Sequence, residues 1–320
     1  MIAGIRRAAG RSGAARGVQL GIGDDCAILR VPKGHEVLVT TDLSLEGRHF
    51  RRDWHPARAV GHRTLARGLS DLAAMGAKPL AAFLSIALPG EVAGSDWLSE
   101  FMDGFLGLAK VAGVTLAGGD TAEFAGGVVA DIVLTGSAPA GTALRRSGAR
   151  VGDGIYVTGA LGGSAAELLR GARMASPGRP DTRIYPDFEQ HPHLFPQPRL
   201  AVGAALRRRG MATACIDVSD GISTDLAHLC AESRCGALIE AASLPIHPFA
   251  ASRADAMQLA LHGGEDYELL FTASGRVPGS IAGVNIARIG TVAAGRSVNM
   301  VRLDGKTRRL QAQGWEHFRK

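Results

Sequence analysis

Aspartates stand at the ends of apolar segments along the chain, and this placement constrains the fold more than any other feature. The apolar run 37–41 leads into Asp42, and the run 213–216 leads into Asp217. A carboxylate just past a buried strand is costly unless it is paired or binds a cation. Carboxylates that converge on one place repel one another, and hard cations such as Mg²⁺ relieve that repulsion and can then hold phosphates. The pattern predicts a phosphoryl-transfer enzyme with several Mg²⁺ ions.

Strand-like and helix-like segments alternate over the 320 residues, which indicates an α/β or α+β layered fold. A polar, turn-rich stretch at 145–153 separates two halves of similar size, so we predict two domains, 1–142 and 143–320. Residues 172–196 are rich in Pro, Gly and His and indicate a long excursion or lid. Apolar runs predict strands at 37–41, 80–88, 114–117, 127–137, 155–158, 213–216, 237–240, 267–272 and 285–291. Helical spacing predicts helices at 56–75, 95–111 and 197–209. It also predicts a helix that begins at about residue 164, and another that Ser223 or Thr224 caps and that ends at about residue 233.

The bulk composition limits the classes of partner. The net charge is +6, from 36 Lys and Arg against 30 Asp and Glu, which suits a solvated basic surface or a polyanionic substrate. Arginines are dispersed and aromatics make up 5%, so we expect no nucleic-acid partner. We expect a mobile basic arm near the start, with Arg6, Arg7, Arg11 and Arg16. No stretch has membrane-spanning length or resembles a signal peptide, so we expect a cytoplasmic protein without membrane contact. Isolated cysteines indicate reduced, buried thiols: Cys26, Cys215, Cys230 and Cys235.

Oxygen-bearing side chains of the first half are the predicted metal ligands. Asp25 lies in GIGDDCAIL, Thr40, Thr41 and Asp42 end a strand, and Asp71 interrupts an apolar helix face. Taken alone, each fits a simpler interpretation as a turn cap, a helix N-cap or an exposed helix position. Taken together they favour the oxygen shell that Mg²⁺ requires. The chain has no GxxxxGK[ST] loop and no GxGxxG turn, so neither a Walker-type nor a Rossmann site is predicted.

Glycines and polar side chains mark the predicted phosphate and nucleotide site. Gly119 precedes Asp120, and a glycine lets the backbone approach a phosphate closely. Arg146 can clamp phosphate oxygens bidentately, although a solvent-exposed arginine is equally consistent with the sequence. Ser219, between Asp217 and Asp220, is a candidate nucleotide contact.

Two further side chains are candidate substrate contacts. His49 lies a short loop after Asp42 and can donate a hydrogen bond to a phosphate, although a structural histidine is the commoner case. Glu265 lies in the glycine-acid turn 263–268 and can accept hydrogen bonds from a substrate amine.

Nine motifs, in this order, resemble those of the thiamine-monophosphate kinase family. They are GIGDDCAIL, TTDLSLEGRHF, LSDLAAMGAKP, AGGDT, RRSGARVGD, YVTGALGGSAAEL, IDVSDGISTDLAHL, GGEDYEL and GWEHF. The resemblance extends from about residue 21 to 318 and is specific as a set, although each motif alone is modest. That family is related to aminoimidazole ribonucleotide synthetase, selenophosphate synthetase and the hydrogenase-maturation dehydratase.

The resemblance implies an N-terminal domain whose sheet pairs with that of a second subunit to close a barrel, a covering C-terminal α/β domain, and a homodimer. It implies transfer of the γ-phosphoryl group of ATP to thiamine monophosphate, giving thiamine diphosphate and ADP. Asp42, Asp71 and Asp120 are then the catalytic residues, because the Mg²⁺ ions that they hold neutralise charge around the moving group. Matching positions assign Mg²⁺ to Asp25, Thr40, Thr41, Asp42, Asp71, Asp120, Asp217 and Asp220. They assign ATP to Gly119, Asp120, Arg146 and Ser219, and thiamine phosphate to His49, Glu265 and the potential stacking residue Trp315.

The sequence departs from the family pattern in two places, and three rival functions can be compared with it. The family's usual N-terminal helix is not expected in residues 1–20, and Arg48 replaces a frequent Asn. Selenophosphate synthetase would need a reactive Cys or Sec before residue 21, and the hydrogenase-maturation protein would need a C-terminal Cys; the chain has neither. A catalytically silent polyanion-binding protein is the rival from another class, and salt-dependent nucleic-acid binding without ATP turnover would support it.

Overall fold

The computed structural model of the chain describes residues 2–11, 17–22, 25–174 and 191–314. The chain forms two compact units. Unit 1 comprises Met1–Leu72, Ala77–Gly141 and Gly171–Phe195, and unit 2 comprises Ala73–Gly76, Thr142–Arg170 and Pro196–Lys320. The predicted domain boundary between residues 142 and 143 stays a prediction. Within the described residues, none of the helices combines the length and the apolar character that crossing a bilayer would require.

Unit 1 is a layer of helices on a mixed sheet. Its helices are α1 (Ile2–Arg11), α2 (Ala57–Ala74, which ends in unit 2), α3 (Gly90–Ala93) and α4 (Trp97–Ala112). Its strands are β1 (Val18–Leu20), β2 (Ile28–Leu29), β3 (His35–Leu45), β4 (Lys78–Leu88), β5 (Thr115–Glu123) and β6 (Val129–Pro139). The main sheet has the order β3-β6-β4-β5, and β1 pairs with β2 separately. β6 is antiparallel to both β3 and β4, whereas β4 and β5 are parallel.

The main sheet of unit 1 has one face covered by helices and one open face. On β3, Leu38 and Ser44 are buried while Val37 and Val39 on the other face are 51% and 61% exposed. α2 lies on the covered face, and a Cβ at its Gly68 would come within 2.7 Å of Leu134 Cδ1 on β6. Because side chains alternate along a strand, every second residue of β3 points towards α2.

Residues 2–11 form α1, which corrects the expectation of a mobile terminus without a helix. α1 packs against α4 and β5, and its Ala9 is buried. Alanine and arginine are strong helix formers, and their propensity outweighs the scattered glycines of this segment.

Unit 2 is built on a larger sheet with the order β14-β13-β9-β12-β7-β10-β8, and β11 pairs with β12 at its side. Its strands are β7 (Gly154–Thr158), β8 (Ala214–Asp217), β9 (Gly236–Glu240), β10 (Leu269–Ala273), β11 (Ser280–Ile281), β12 (Val284–Ala293), β13 (Val298–Val301) and β14 (Thr307–Arg309). Its helices are α5 (Gly163–Met174), α6 (Leu200–Arg208), α7 (Ile222–Ser233), α8 (Pro248–Ala251) and α9 (Ala256–His262), with a 3₁₀ turn at Ala241–Ser243. Ile155, Ile216, Leu229, Ile239 and Leu270 belong to its core.

Two element ends differ from the sequence expectation near candidate site residues. β5 continues through Gly119 and Asp120 to Glu123, so Asp120 lies inside a strand rather than beyond its end. α7 begins directly after Gly221, whose φ is +102°, so Ser223 and Thr224 are buried in its first turn and do not cap it. Of the predicted excursion at 172–196, residues 175–190 lie outside the described part.

Candidate active site

Four polar side chains from β3 and α2 lie together on the covered face of the unit 1 sheet. We call Thr40, Asp42, Arg67 and Asp71 the β3–α2 group. Thr40 Oγ1 donates a hydrogen bond to Asp71 Oδ2 at 2.5 Å, and Arg67 Nη2 lies 2.8 Å from Asp42 Oδ1. Residues two apart on a strand, or four apart on a helix, share a face, so each element presents two members. The structure therefore brings together three of the predicted metal ligands.

Thr41 and Asp131 mark the other face of the same sheet. Thr41 is exposed, and its side chain points away from the β3–α2 group because it alternates with Thr40 and Asp42. Asp131 on β6 is aligned with Leu43 on β3. Burial raises the pKa of the Asp131 carboxyl, and the negative charge of Asp42 raises it further. The sequence analysis missed Asp131, although a carboxylate inside an otherwise apolar strand was the available signal.

A cavity of about 480 Å³ lies beside β5 in unit 1. Asp25, Cys26, Phe83, Gly119 and Asp120 are among the residues that line it, and we call it the β5 cavity. The predicted ligands Asp25 and Asp120 therefore face the same space. The Asp120 Oδ1 atom accepts the N–H of Thr121 at 2.8 Å.

Gly119 is required by strand packing. Its φ is +150°, and a Cβ at this position would lie 1.8 Å from the carbonyl oxygen of Leu84 on β4. Any larger residue would separate β5 from β4 and deform the cavity wall that carries Asp120.

Asp42 and Asp120 are not neighbours within unit 1. β3 and β5 are the two edge strands of the main sheet, with β6 and β4 between them. At the usual spacing between strands this is a separation of about 14 Å, and the two side chains also alternate onto different faces. Within this unit, a metal ion on Asp42 is therefore separate from one on Asp120.

His49 lies in the loop after β3 and is half-buried. Its Nδ1 accepts the N–H of Leu45 at 3.0 Å, which places the proton of the neutral ring on Nε2. Arg63, almost fully buried, donates to the His49 carbonyl oxygen at 3.4 Å. His49 thus carries a hydrogen-bond donor in a backbone-fixed orientation, as a phosphate contact would need.

In unit 2, residues 217–221 and 263–268 form a pair of hydrogen-bonded loops, which we call the loop pair. The N–H of Glu265 donates to the Ser219 carbonyl at 2.7 Å, and that of Tyr267 donates to the Val218 carbonyl at 2.9 Å. Glu265 itself has a left-handed backbone with φ of +64°. The loop pair brings the candidate residues Asp217, Ser219 and Asp220 close to Glu265.

A third carboxylate, Asp225 on α7, adjoins the two predicted ligands of the loop pair. Its Oδ2 accepts the N–H of Asp220 at 3.1 Å. Burial raises the pKa of the Asp225 carboxyl to about 8, and the charges of Asp217 and Asp220 contribute to that rise. No spacing pattern in the sequence singles out Asp225, because its role depends on contacts made only in the folded chain.

Two assigned residues remain. Arg146 is exposed in unit 2, and its carbonyl oxygen accepts the hydroxyl of Ser233 at 2.8 Å. Trp315 lies outside the described residues.

The donor chemistry of these positions fits a hard cation. Among the described residues, no group of three or more His, Cys, Asp or Glu side chains is arranged as a closed metal site. Burial raises the pKa values of the Asp131 and Asp225 carboxyls, and repulsion from Asp42 in the first case and from Asp217 and Asp220 in the second raises them further. Oxygen ligands under such repulsion are the type that Mg²⁺ stabilises, and Mg²⁺ also keeps several waters and substrate phosphates in its shell. An incomplete protein shell is therefore compatible with Mg²⁺.

The chain matches the models of both domains of the AIR synthase related proteins. Residues 23–138 match the N-terminal domain and residues 150–277 match the C-terminal domain. The structure of Escherichia coli HypE, a hydrogenase maturation protein, aligns with a TM-score of 0.75 at 18% identity, covering 99% of each chain. At that identity the likeness shows the fold alone. Fold and domain content thus define the class as AIR synthase related proteins with two α/β domains.

Closer relatives specify the family within that class. The thiamine-monophosphate kinase of Escherichia coli K12 is 39% identical over 311 residues, which are 94% of this chain and 92% of the relative. The crystal structure of the Stenotrophomonas maltophilia thiamine-monophosphate kinase is 36% identical, with a TM-score of 0.80 over 94% of this chain and 95% of the other. The structure of AaThiL complexed with AMPPCP and TMP is 28% identical, with a TM-score of 0.76 over 93% and 92%. The chain belongs to the thiamine-monophosphate kinase family.

Proposed function

We propose that this protein, an enzyme of the thiamine-monophosphate kinase family, transfers the γ-phosphoryl group of ATP directly to thiamine monophosphate. The products are thiamine diphosphate and ADP, and this reaction is the last step in making the cofactor. The observation that carries the proposal is the β3–α2 group, in which Thr40, Asp42 and Asp71 come together from two elements. AaThiL, whose fold the chain shares along most of its length, was solved with an ATP analogue and TMP bound.

The proposed metal ligands fall into three sets. Thr40, Asp42 and Asp71 form one set, and Asp25 and Asp120 at the β5 cavity form another. Asp217 and Asp220 of the loop pair form the third set, and Thr41 is the remaining proposed ligand. Mg²⁺ bound at these positions would neutralise the negative charge of the two phosphorylated substrates.

Phosphoryl transfer to a phosphate oxygen needs positioning more than proton removal. The acceptor oxygen of thiamine monophosphate is already anionic, so a strong general base is unnecessary. We assign the catalytic roles to Asp42, Asp71 and Asp120. Asp42 and Asp71 would hold cations at the β3–α2 group, and Asp120 would hold a separate cation at the β5 cavity. No covalent enzyme intermediate is needed, since an in-line arrangement of donor and acceptor suffices.

The proposed substrate contacts come from the motif resemblance. His49 would donate Nε2–H to the phosphate of thiamine monophosphate, and Glu265 would accept from its amine. Gly119, Asp120, Arg146 and Ser219 would contact ATP. Trp315 remains a proposed stacking residue for the thiazolium ring.

The open face of the unit 1 sheet supports a homodimer. Val37, Val39 and Leu43 of β3 are 51%, 61% and 47% exposed and share that face. A row of exposed β-branched and aliphatic side chains on a sheet favours burial against another sheet. We propose that this face pairs with the same face of a second subunit, with residues 1–142 as the nucleotide-binding and dimerisation domain and 143–320 as the covering domain.

The direct test is a product assay. Purified protein is incubated with ATP, Mg²⁺ and thiamine monophosphate, and thiamine diphosphate is quantified chromatographically. Thiamine and an aminoimidazole precursor replace thiamine monophosphate in parallel reactions. Formation of thiamine diphosphate only from the monophosphate is expected. ATP consumption with the aminoimidazole precursor alone would assign the chain to another branch of its class.

A further inference from the structure

Arg67 is the one cationic member of the β3–α2 group. It lies one helical turn before Asp71 on α2, and its Nη2 lies 2.8 Å from Asp42 Oδ1. The Arg67 side chain is 13% exposed and that of Asp42 is 25% exposed. The ion pair is therefore partly shielded from water and screened less than a surface pair.

A guanidinium and a divalent cation compete for the same carboxylate. Oδ1 of Asp42 takes part in the ion pair, and a metal ion on this carboxylate would bring two positive charges close together. We propose that Arg67 is an internal cation that competes with Mg²⁺ for Asp42, so that it sets the metal affinity of the β3–α2 group. This inference rests on the proposed role of Asp42 as a metal ligand.

The competing interpretation is a purely structural ion pair. In that case Arg67 would hold Asp42 in place, and its removal would leave metal affinity unchanged or would weaken it by misplacing the ligand. Competition predicts the opposite sign, because removal of the guanidinium releases Asp42 and removes a repulsive charge. The sign of the change in metal affinity therefore separates the two interpretations.

The test measures Mn²⁺ binding to the full-length protein without nucleotide, through the electron paramagnetic resonance signal of free Mn²⁺, with Mg²⁺ as competitor. Arg67→Met keeps the apolar stem but removes the charge. It should bind Mn²⁺ about two- to fivefold more tightly than the unmodified protein, which is the size of one partly exposed ion pair. Arg67→Lys, which retains a positive charge, should shift the affinity much less.

Arg52→Met is the matched control. Arg52 Nε lies 2.7 Å from Glu46 Oε1 in the same unit, with side chains 33% and 21% exposed. This variant loses one charge and one ion pair away from the β3–α2 group, so its Mn²⁺ affinity should match that of the unmodified protein. The double variant Asp42→Asn, Arg67→Met should lose the gain seen with Arg67→Met alone.

Unchanged or weaker Mn²⁺ binding by folded Arg67→Met protein would overturn the inference, and so would a lack of millimolar Mn²⁺ binding by the unmodified protein. If Arg67→Met does not fold by circular dichroism, Arg67→Gln takes its place. The product assay is scored separately. If Arg67→Met binds Mn²⁺ more tightly but the unmodified protein forms no thiamine diphosphate, the proposed function is rejected and Arg67 remains a competitor of the metal.

Discussion

Thr40 Oγ1 and Asp71 Oδ2 are joined by a 2.5 Å hydrogen bond across 31 residues of sequence. The bond links the middle of β3 to the last third of α2, and it orients the Asp71 carboxylate towards the strand that carries Asp42. A half-buried Asp inside a helix is unfavourable by propensity, so its position reflects this contact rather than helix stability. The relationship makes Thr40 a positioning residue for Asp71.

Asp71→Asn and Asp42→Asn should each lower kcat at least about 100-fold, because a neutral amide binds Mg²⁺ much more weakly than the carboxylate that the proposed mechanism requires. The thermal unfolding midpoint should change little for Asp71→Asn, whose side chain is only partly buried, and should fall for Asp42→Asn, which removes the counter-charge of Arg67. Steady-state assays at saturating ATP and Mg²⁺ measure the effect. Asp103→Asn on the exposed face of α4 is the control and should retain full activity. Near-normal rates in the first two variants would reject their catalytic roles.

Glu268→Gln should destabilise unit 2. The Glu268 carboxylate is buried and accepts three hydrogen bonds, from Arg199 Nε at 2.7 Å, Arg199 Nη2 at 2.6 Å and Thr158 Oγ1 at 2.5 Å. An amide cannot accept all three bonds and leaves Arg199 without its counter-charge. The expected loss is about 2–3 kcal/mol, measured by urea denaturation. Arg253→Gln, which breaks the exposed pair with Asp255, should change stability much less. Equal effects of the two variants would contradict this account.

Val39→Asp should convert a dimer into monomers. Val39 is 61% exposed in the middle of the open face, and a carboxylate there could be buried between two sheets only at a high cost. Light scattering coupled to size-exclusion chromatography gives the molar mass. Val111→Asp is the control, since Val111 is 83% exposed near the end of α4 and should leave the mass unchanged. A monomeric unmodified protein would exclude the proposed dimer.

His193 should make unit 1 sensitive to acid. Burial lowers the pKa of this imidazole well below 6.5, and the charge of Arg63 lowers it further. The unfolded chain therefore takes up a proton below about pH 6.5 that the native state resists, so stability is present above that pH and falls as the pH drops. His193→Gln, which can still bond to His55 Nε2, should lose less stability than the unmodified protein between about pH 7.5 and 5.5. The measurement is the free energy of unfolding of both proteins at a series of pH values. An equal fall in both proteins would disprove the role of His193.

The spacing of apolar residues predicted secondary structure well where one face of an element packs at a regular repeat. The spacing of apolar residues predicted a helix at 56–75, and α2 spans Ala57–Ala74. The same reasoning ended β3 too early, at residue 41, because it looked for a continuous apolar run. The strand extends to Leu45 since its two faces differ and polar residues alternate with apolar ones.

Sequence patterns predicted the fold better than they predicted the contacts of the candidate site. Motif resemblance named Asp42 and Asp71, but no spacing indicated that Arg67 would pair with Asp42. The strand after residue 114 was expected to end before Asp120, because glycines usually interrupt strands. Here Gly119 is retained inside β5, since the Leu84 carbonyl leaves no room for a Cβ.

The alternation of β3 ties the proposed metal chemistry of this chain to its proposed dimer through strand length. One face of the strand carries Thr40 and Asp42, and the other carries Val39 and Leu43. Inserting a single residue before position 39 would exchange the two faces, turning carboxylate outward and valine inward in one step. Inserting two would restore both faces but displace Asp42 along the strand by about 7 Å, away from its helical partners. A change in the length of β3 between His35 and Leu45 would therefore disturb the proposed metal site and the proposed dimer face together.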